Sequence, residues 1–478
     1  MPNTVWQPQP RQQAFMERGE YECFYGGAAG GGKSDVLVIE ALRQIAIPHY
    51  KAIIFRKTYT QLGELLDKAD RYYPRIVPGA RYNSQQHVWK FPSGARIYFA
   101  GMQYIKDRTK WQGWQFDMIA FDELTHFQFD EYSYMWSRNR ASGPGTRVYM
   151  RATGNPGGVG HGWVKQRFID VAPPMTPVKR RLEVVDADGN AVTRWRHRIF
   201  VPAKLTDNRI LMENSPEYMQ SLAMLPQKER EALLDGNWDS FSGQVFMEWR
   251  NDPDHYRDHK NTHVIEPFSI PRHWKILMGY DWGYSKPFAC VWFAVDEQGK
   301  FYLIRELYGC TGEPNKGVMW DDDRIAREIR RVEEEDDNLR GHDIERIADP
   351  AIFDTSKGGK EGSQARTMER CGVYFRPGDH KRIPGKMQLH YRLRFQDGEP
   401  MLQVFNTCRH FIRTLPSLVY SEIDVEDVDS SQEDHLYDAA RYVMMHRRMS
   451  PPVQEHKPIE RFDPLNQRNT TRRMYGTL

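Results

Sequence analysis

Four positions near the start of the chain, two glycines, a lysine and a serine, have the spacing of a phosphate-binding loop. They form Gly27-x4-Gly32-Lys33-Ser34, with Gly30 and Gly31 inside the loop. Glycines let the backbone curl so that successive N–H groups point at phosphate oxygens, and the following helix adds its positive dipole end. Lys33 would reach the β and γ phosphates of ATP, and the Ser34 hydroxyl would ligate Mg²⁺. A flexible glycine-rich turn is the weaker alternative, since the loop lies between a strand-like run and an apolar stretch long enough for a buried helix.

An acidic pair, Asp122-Glu123, follows the apolar run Met118–Phe121. Paired with an upstream phosphate loop, such a strand end supplies the second half of a nucleotide hydrolysis site. Asp122 would bind the hydrated Mg²⁺, and Glu123 would orient and deprotonate the attacking water. The glutamate favours hydrolysis over simple nucleotide binding.

Two further stretches are candidates for the same site. Thr153, Gly154 and Asn155 end the strand-like run that starts at Arg147, where polar groups beside a γ-phosphate could sense hydrolysis. A tight Pro-Gly turn is the alternative interpretation there. Upstream, the Gln12 amide could read the adenine edge, although surface polarity explains a lone glutamine better.

Three separated aspartates in the second half have the types and positions needed for two-metal phosphodiester cleavage. Asp281 and Asp349 end short apolar strands, and Asp434 begins a helix on which Asp438 lies one turn later, on the same face. Such carboxylates bind two Mg²⁺ or Mn²⁺ ions, which activate a water and stabilise the leaving oxygen. Any one of these acids alone is more often a surface residue, and the choice between Asp434 and Asp438 stays open.

The elements that must position these residues predict two α/β domains. A β-α-β-α start builds a mainly parallel sheet with the nucleotide at the strand C-termini. In the second half, a strand ending in Asp281 is followed by a β-hairpin, which is how a ribonuclease H-like mixed sheet begins. We therefore predict a P-loop ATPase domain at 1–240, a connector at 241–272, a nuclease domain at 273–450 and a flexible tail at 451–478.

The composition is that of a globular protein with no strong global field. The chain has 478 residues, 40% hydrophobic and 27% charged, with a formal net charge of +3. Nucleic-acid binding would therefore need local basic patches. Five cysteines without a CxxC pair argue against a zinc ribbon, and the lack of a long apolar run predicts a soluble intracellular protein without membrane contact.

In the order of its motifs, the chain resembles the large terminase subunit of tailed double-stranded DNA phages. The resemblance spans about residues 10–447 and is carried by YGGAAGGGKS, IAFDEL, TGNPGG, DGNW, MGYDWG and DHLYDAARY. It implies an N-terminal ASCE-type ATPase that translocates DNA and a C-terminal ribonuclease H-like endonuclease that cuts the concatemer. In one departure, Gln112 stands where many relatives have an arginine finger. Arg108 and Lys110 lie nearby, so the finger is unassigned.

The same resemblance implies the partners and the roles of matched residues. Lys33, Ser34, Asp122 and Glu123 take the ATPase roles, Gln12 the adenine contact and residues 153–155 the coupling role. Asp281, Asp349 and Asp434 take the nuclease metal roles, with Asp438 accessory. Expected partners are double-stranded DNA, the procapsid portal protein, a small terminase subunit and further copies in a ring, a pentamer when docked. The expected location is the host cytoplasm and, transiently, the portal vertex.

Two rival functions share parts of this pattern. A helicase-nuclease of DNA repair or defence would use the same two chemistries but would separate strands. A nucleotide-gated scaffold protein without catalysis is disfavoured by Glu123 and by the three nuclease aspartates.

Overall fold

The computed structural model describes residues 5–28, 30–214, 222, 224, 230, 236–239, 241, 243–356, 362–421 and 423–449. The predicted flexible tail, 451–478, lies outside the described residues. Within the described part, two large α/β sheets follow one another along the chain, one formed before residue 204 and one after residue 263. The predicted fold class, two mixed and mainly parallel α/β sheets, is confirmed.

The first sheet has six central strands that pair in parallel, with antiparallel strands at both edges. Its order is β3-β4-β5-β2-β6-β7-β1-β9-β8. The strands are β1 (Glu22–Gly27), β2 (Lys51–Arg56), β3 (Arg81–Asn83), β4 (Val88–Lys90), β5 (Arg96–Gly101), β6 (Met118–Phe121), β7 (Tyr149–Gly154), β8 (Val178–Val185) and β9 (Ala191–Ala203).

Short helices accompany this sheet. They are α1 (Pro10–Met16), α2 (Lys33–Glu40), α3 (Tyr59–Ile76), α4 (Phe129–Tyr134), α5 (His161–Val164) and α6 (Arg209–Asn214). The apolar stretch after Ser34 predicts a longer helix than α2. Beyond Glu40 the backbone continues instead in tighter turns, with N–H groups bonded three residues back. The buried Glu40 carboxylate binds Arg43 and lies near Arg151 of β7, so polar tertiary contacts end the helix there.

The second sheet has the order β10-β18-β13-β12-β11-β14-β15. Its antiparallel core is β11 (Lys275–Asp281), β12 (Ala289–Val295) and β13 (Phe301–Tyr308), which contains the predicted strand and hairpin. The other strands are β10 (Val264–Ile265), β14 (Ile344–Ala348), β15 (Arg376–Pro377) and β18 (Leu402–Phe405), and β16 (Phe395–Gln396) pairs separately with β17 (Glu399–Pro400).

The helices of this half are α7 (Asp322–Glu335), α8 (Gln364–Arg370), α9 (Arg382–Leu393), α10 (Arg409–Thr414) and α11 (His435–His446). Helix α11 lies directly on the central strand β11. A Cβ built at Gly279 of β11 would be 2.1 Å from the carbonyl oxygen of Ala439 and 2.9 Å from Cγ2 of Val443. A residue without a side chain at 279 therefore permits the close approach of helix and strand.

Candidate nucleotide and nuclease sites

The phosphate loop connects β1 to α2 through glycines that use left-handed backbone conformations. Gly30 and Gly32 have φ of 71° and 67°. At Gly27, a Cβ would be 2.3 Å from the carbonyl oxygen of Ala203, because the loop backbone pairs with the end of β9. Gly27 also has a positive φ, of 136°, so three glycines of the loop are required by conformation and Gly27 by contact as well.

Gln12 and Asn208 hold the loop from outside. The Gln12 Nε2 donates to the carbonyl of Gly32 at 2.8 Å, and Asn208 Nδ2 donates to the carbonyl of Gly30 at 2.5 Å. Gln12 is 4% exposed, so its interpretation as surface polarity was wrong. Its amide braces the loop in this structure, and an adenine contact stays a prediction.

Lys33 is buried at the start of α2. Its Nζ donates to the carbonyl of Ala28, inside the loop. Burial lowers the pKa of Lys33, although the charges of Glu123 and Asp122 act in the opposite direction. A partly desolvated ammonium at the mouth of the loop is suited to a polyphosphate, which would supply the missing negative charge.

The carboxylate of Asp122 contacts residues from three elements, α2, β2 and β7. It accepts from the Ser34 hydroxyl at 3.2 Å, from Thr153 Oγ1 at 2.5 Å and from Arg56 Nε at 2.8 Å. The side chain is fully buried. The residues predicted as the Mg²⁺ pair, Ser34 and Asp122, are therefore adjacent, and the first residue of the predicted coupling stretch contacts the same carboxylate.

Glu123, two residues after the end of β6, has a left-handed backbone with φ of 56°. This conformation is uncommon for glutamate and marks a constrained position. The carboxylate accepts from both the backbone N–H and the side-chain amide of Asn155, each at 3.1 Å. The Asn155 Oδ1 is buried and has no protein partner among the described residues, which leaves one acceptor free for a water.

Gly154, the last residue of β7, lies between Thr153 and Asn155 in the predicted coupling stretch. It pairs with Gly26 of β1, and a Cβ at Gly154 would be 3.3 Å from the backbone nitrogen of Leu124. The strand end is therefore packed closely against the segment that follows Glu123.

His161 connects the loop after Asn155 to the segment near residue 238, and no motif in the sequence indicated it. Its Nδ1 accepts from the N–H of Gly157 at 3.0 Å, and its Nε2 lies 3.1 Å from the carbonyl of Trp238. The ring also packs on Trp238 and Phe241. Burial lowers the pKa of His161 to about 3, so the imidazole is neutral and donates from Nε2.

In the second half, Asp281 and Asp349 end neighbouring strands. Strands β11 and β14 are parallel, with Tyr280 opposite Ala348, and the N–H of Asp349 donates to the carbonyl of Tyr280 at 3.0 Å. The structure thus brings these two predicted acids to one sheet edge. The Asp349 carboxylate accepts from the N–H of Ala351 at 2.8 Å.

Asp434 and Asp438 lie at the start of α11, and both face an arginine. Arg382 Nη2 is 3.6 Å from Asp434, its Nη1 is 3.2 Å from Asp438, and its Nε donates to Asp427 at 2.6 Å. Arg441 Nε also donates to Asp438 at 2.9 Å. Asp438 therefore has two arginine partners, whereas Asp434 is the more buried acid and has the weaker ion pair.

His435 bridges Asp281 to the loop before α7. Its Nδ1 lies 3.1 Å from Asp281 Oδ2 and its Nε2 lies 3.0 Å from Asn315 Oδ1. Burial opposes a charge on this ring, but the hydrogen bond and charge of Asp281 outweigh it and raise the pKa of His435. Because both ring nitrogens face acceptor oxygens, the ring is placed as an imidazolium.

Two acids of this cluster, Asp281 and Asp434, have pKa values above the usual range of aspartate. Burial raises the pKa of Asp281 to about 6, although His435 lowers it. Burial and then the nearby charge of Asp438 raise the pKa of Asp434 to about 8. Carboxylates that repel one another in a desolvated site are a donor set suited to divalent cations, which would supply the missing charge.

In their present rotamers these carboxylates bind His435, Arg382 and backbone groups. No set of three or more histidine, cysteine, aspartate or glutamate side chains within the described residues is arranged to hold a metal ion. Over the same part of the chain, no helix has the length and apolarity of a membrane span.

Comparisons with known proteins give the family. Residues 24–249 match the family described as "Terminase large subunit, T4likevirus-type, N-terminal". No curated protein matches the chain. Among solved structures, the large terminase from a thermophilic bacteriophage is 16% identical, with 91% of this chain and 98% of that chain covered and a TM-score of 0.39.

Two further solved structures are similar. The HK97 bacteriophage large terminase is 10% identical, with 92% of this chain and 94% of that chain covered and a TM-score of 0.43. The P22 large terminase nuclease domain is 21% identical, with 43% of this chain and 93% of that chain covered and a TM-score of 0.32. Residues 24–249 thus belong to the N-terminal part of the terminase large subunit family.

Proposed function

We propose that this protein is an ATP-driven motor that moves double-stranded DNA into a procapsid and a metal-dependent endonuclease that cuts the concatemer. The observation that carries this proposal is the meeting of Ser34, Thr153 and Arg56 on the carboxylate of Asp122. These groups come from α2, the end of β2, β7 and the residue after β6, and their types match those of a nucleotide hydrolysis site. Residues 1–240 form the ATPase in this proposal, 241–272 the connector and 273–450 the nuclease.

In the ATPase half, the loop glycines and Lys33 bind the ATP phosphates, and Gln12 contacts the adenine while it braces Gly32. Ser34 and Asp122 would hold Mg²⁺, which supplies charge stabilisation to the transferred phosphate. Glu123 orients the attacking water and accepts its proton. Asn155 positions the Glu123 carboxylate, and its free Oδ1 accepts a hydrogen bond from the same water.

In the nuclease half, Asp281, Asp349 and Asp434 would hold two Mg²⁺ or Mn²⁺ ions, with Asp438 accessory. The ions supply an activated water and neutralise the leaving oxygen. His435 fixes the Asp281 carboxylate from behind through its hydrogen bond. In the metal-free chain, Arg382 forms an ion pair with Asp438 and lies 3.6 Å from Asp434.

Partners follow from the packaging function. The protein acts in the host cytoplasm as a ring of copies, a pentamer, docked on the portal protein, and a small terminase subunit selects the DNA. The tail at 451–478 tethers the chain to the portal. Membrane binding has no role in this cycle.

The test is uptake of linear duplex DNA into purified empty heads. We expect nuclease-protected DNA with the wild type and none with Lys33→Ala, while Lys260→Ala, an exposed lysine in the connector, behaves as wild type. Asp281→Ala should abolish metal-dependent cutting and keep ATP turnover. Strand separation on a forked duplex without any uptake would instead establish the helicase-nuclease function.

A further inference from the structure

The antiparallel ribbon β8–β9 carries a concentrated row of cations. Across the ribbon, Arg180 pairs with Arg196 and Val178 pairs with Arg198, so three arginines share one face. Arg196 and Arg198 are alternate residues of β9, about 7 Å apart along the strand, and Arg180 lies opposite Arg196. Arg196 also lies over the ring of Tyr21, 3.6 Å from its centroid.

This ribbon faces the second half of the chain across a cleft of about 680 Å³. The opposite wall is the loop 311–316, which follows β13. Cations dominate the lining, and Glu313 is the one acid among the lining residues. The cations are Arg167, Lys179, Arg180, Arg181, Arg198 and Lys316.

Three of these six cations have no ion-pair partner within the described residues. The other three are paired: Arg167 binds Glu22 at 2.7 Å, Arg181 binds Glu183 at 2.7 Å, and Lys316 binds Glu313 at 3.0 Å. Lys179 and Arg180 are exposed and form no ion pair within the described part of the chain. Burial and the charge of Arg167 lower the pKa of Arg198, which is the effect expected where like charges are held together.

Protection of an exposed sheet edge explains only part of this arrangement. Strand β8 is the edge of the first sheet, and charged side chains on an edge prevent pairing with other chains. Arg198 belongs to an inner strand and Arg167 to another segment, yet both line the same cleft. Edge protection does not require the cations of three separate segments to converge.

The second wall of the cleft is linked to the nuclease cluster by two hydrogen bonds. Asn315, between the lining residues Pro314 and Lys316, contacts His435, and His435 in turn contacts Asp281. The loop that a polyanion in the cleft would contact is therefore the loop that holds His435 beside Asp281.

We propose that the cleft between the β8–β9 ribbon and the loop 311–316 binds the phosphate backbone of duplex DNA and guides it toward the nuclease acids. The proposal rests on the proposed function and adds the surface that the DNA uses. Duplex DNA fits better than an acidic protein because it presents about one charge per 1.7 Å of its length, a density suited to a cleft lined by six cations and one acid. Phosphate contacts of this type position DNA without reading its sequence, as a packaging motor requires.

The experiment compares the full chain with Lys179→Gln/Arg180→Gln and with a matched control, Arg327→Gln/Arg330→Gln, which removes two exposed cations from α7. The probe is a fluorescent 30-base-pair duplex, and affinity is measured at several salt concentrations. Loss of two phosphate contacts should weaken binding roughly tenfold or more at about 0.1 M salt and reduce the slope of log K against log salt by about 1.8. The control should keep the wild-type affinity and slope.

Unchanged duplex affinity in the cleft variant would overturn the proposal, and so would an equal loss in the control. An unchanged duplex affinity with lost binding to polyglutamate would assign the surface to an acidic protein instead. ATP turnover without DNA and cleavage by the wild type are measured in parallel. A wild type that neither hydrolyses ATP nor binds DNA would contradict the proposed function itself, whereas a normal wild type with an unaffected cleft variant contradicts only the assignment of the cleft.

Discussion

The side-chain amide of Asn155 donates to the carboxylate of Glu123 at 3.1 Å, and the backbone N–H of Asn155 donates to the same group. These two hydrogen bonds link the ends of β6 and β7. Through them, Asn155, the last residue of the proposed coupling stretch, holds Glu123, the acid of the proposed hydrolysis site. A change in the charge or position of Glu123 would therefore directly alter the hydrogen bonds that hold the loop after β7.

Asn155→Ala should lower ATP turnover by roughly 10²-fold, because the base loses its orientation and the water loses an acceptor. Nucleotide affinity should change little, since Asn155 does not contact the loop glycines or Lys33. Phosphate release and binding of a fluorescent ATP analogue measure the two effects. A similar loss in Asn190→Ala, in the exposed turn of the β8–β9 ribbon, would indicate a nonspecific effect.

Thr153→Val should raise the Mg²⁺ concentration needed for half-maximal ATP turnover. Thr153 Oγ1 holds one oxygen of Asp122, and the valine keeps the shape of the side chain but removes the hydrogen bond. Thr153→Ser retains the hydroxyl and should behave nearly as wild type. Equal Mg²⁺ dependence in the valine and serine variants would exclude a role for the hydroxyl in placing Asp122.

His161→Phe should separate ATP turnover from DNA movement. The phenyl ring keeps the packing on Trp238 and Phe241 but cannot bond to Gly157 or Trp238. We expect DNA-free ATP turnover within about twofold of wild type and a clear rise in ATP consumed per base pair packaged. His49→Phe, at an exposed histidine, is the control. An unchanged amount of ATP consumed per base pair in His161→Phe would show that the hydrogen bonds of His161 to Gly157 and Trp238 do not couple ATP turnover to DNA movement.

The site residues at the strand ends were predictable from the sequence, whereas most of the residues that hold them in place were not. Spacing alone placed Lys33 and Ser34 after one strand and Asp122 after another, and parallel strands must then bring them to one edge. The same reasoning placed Arg56, at the end of β2, on this edge, whereas Asn208 and His161 reach the site from distant segments. Their partners are set by tertiary packing, which leaves no periodic pattern to read.

Asp434→Asn should stabilise the metal-free chain at high pH and abolish cutting. Burial raises the pKa of Asp434 to about 8, so the folded chain keeps a proton that the unfolded chain has lost above about pH 4. This contribution to stability is full below pH 4 and is lost as the pH rises through about 8. The neutral asparagine avoids the loss, so its gain in Tm should be largest at pH 8 and small at pH 5, as thermal unfolding in EDTA would show.

Arg382→Gln should reduce metal-free stability by roughly 1–3 kcal/mol, because the carboxylates of Asp427, Asp434 and Asp438 lose a shared partner. Added Mg²⁺ should restore more stability to this variant than to wild type, since an ion would replace the missing positive charge. Arg327→Gln, an exposed arginine of the same half, is the control. The same Mg²⁺-dependent shift in Tm for Arg382→Gln and wild type would argue against ion binding at these acids.

In the second half of the chain, the position of Arg382 among the acids could not be predicted from the sequence. The order of acids and strands predicted the neighbouring positions of Asp281 and Asp349. Nothing in the spacing indicated that helix α9 would place an arginine among Asp434, Asp438 and Asp427. The question left open between Asp434 and Asp438 depends on that arginine, since Asp438 is bound by both Arg382 and Arg441.

A substitution at Gly279 would act within the second half of the chain, because the residues that Gly279 contacts, Ala439 and Val443, lie in that half. Even a single methyl group there would meet the carbonyl of Ala439, and α11 would have to lift off β11. Because that helix carries Asp434, a shift of an ångström would detach one member of the acid set from the other two. An alanine at 279 should thus weaken the proposed metal-dependent cutting and leave the proposed ATP turnover intact, a separation of activities obtained without altering any charge.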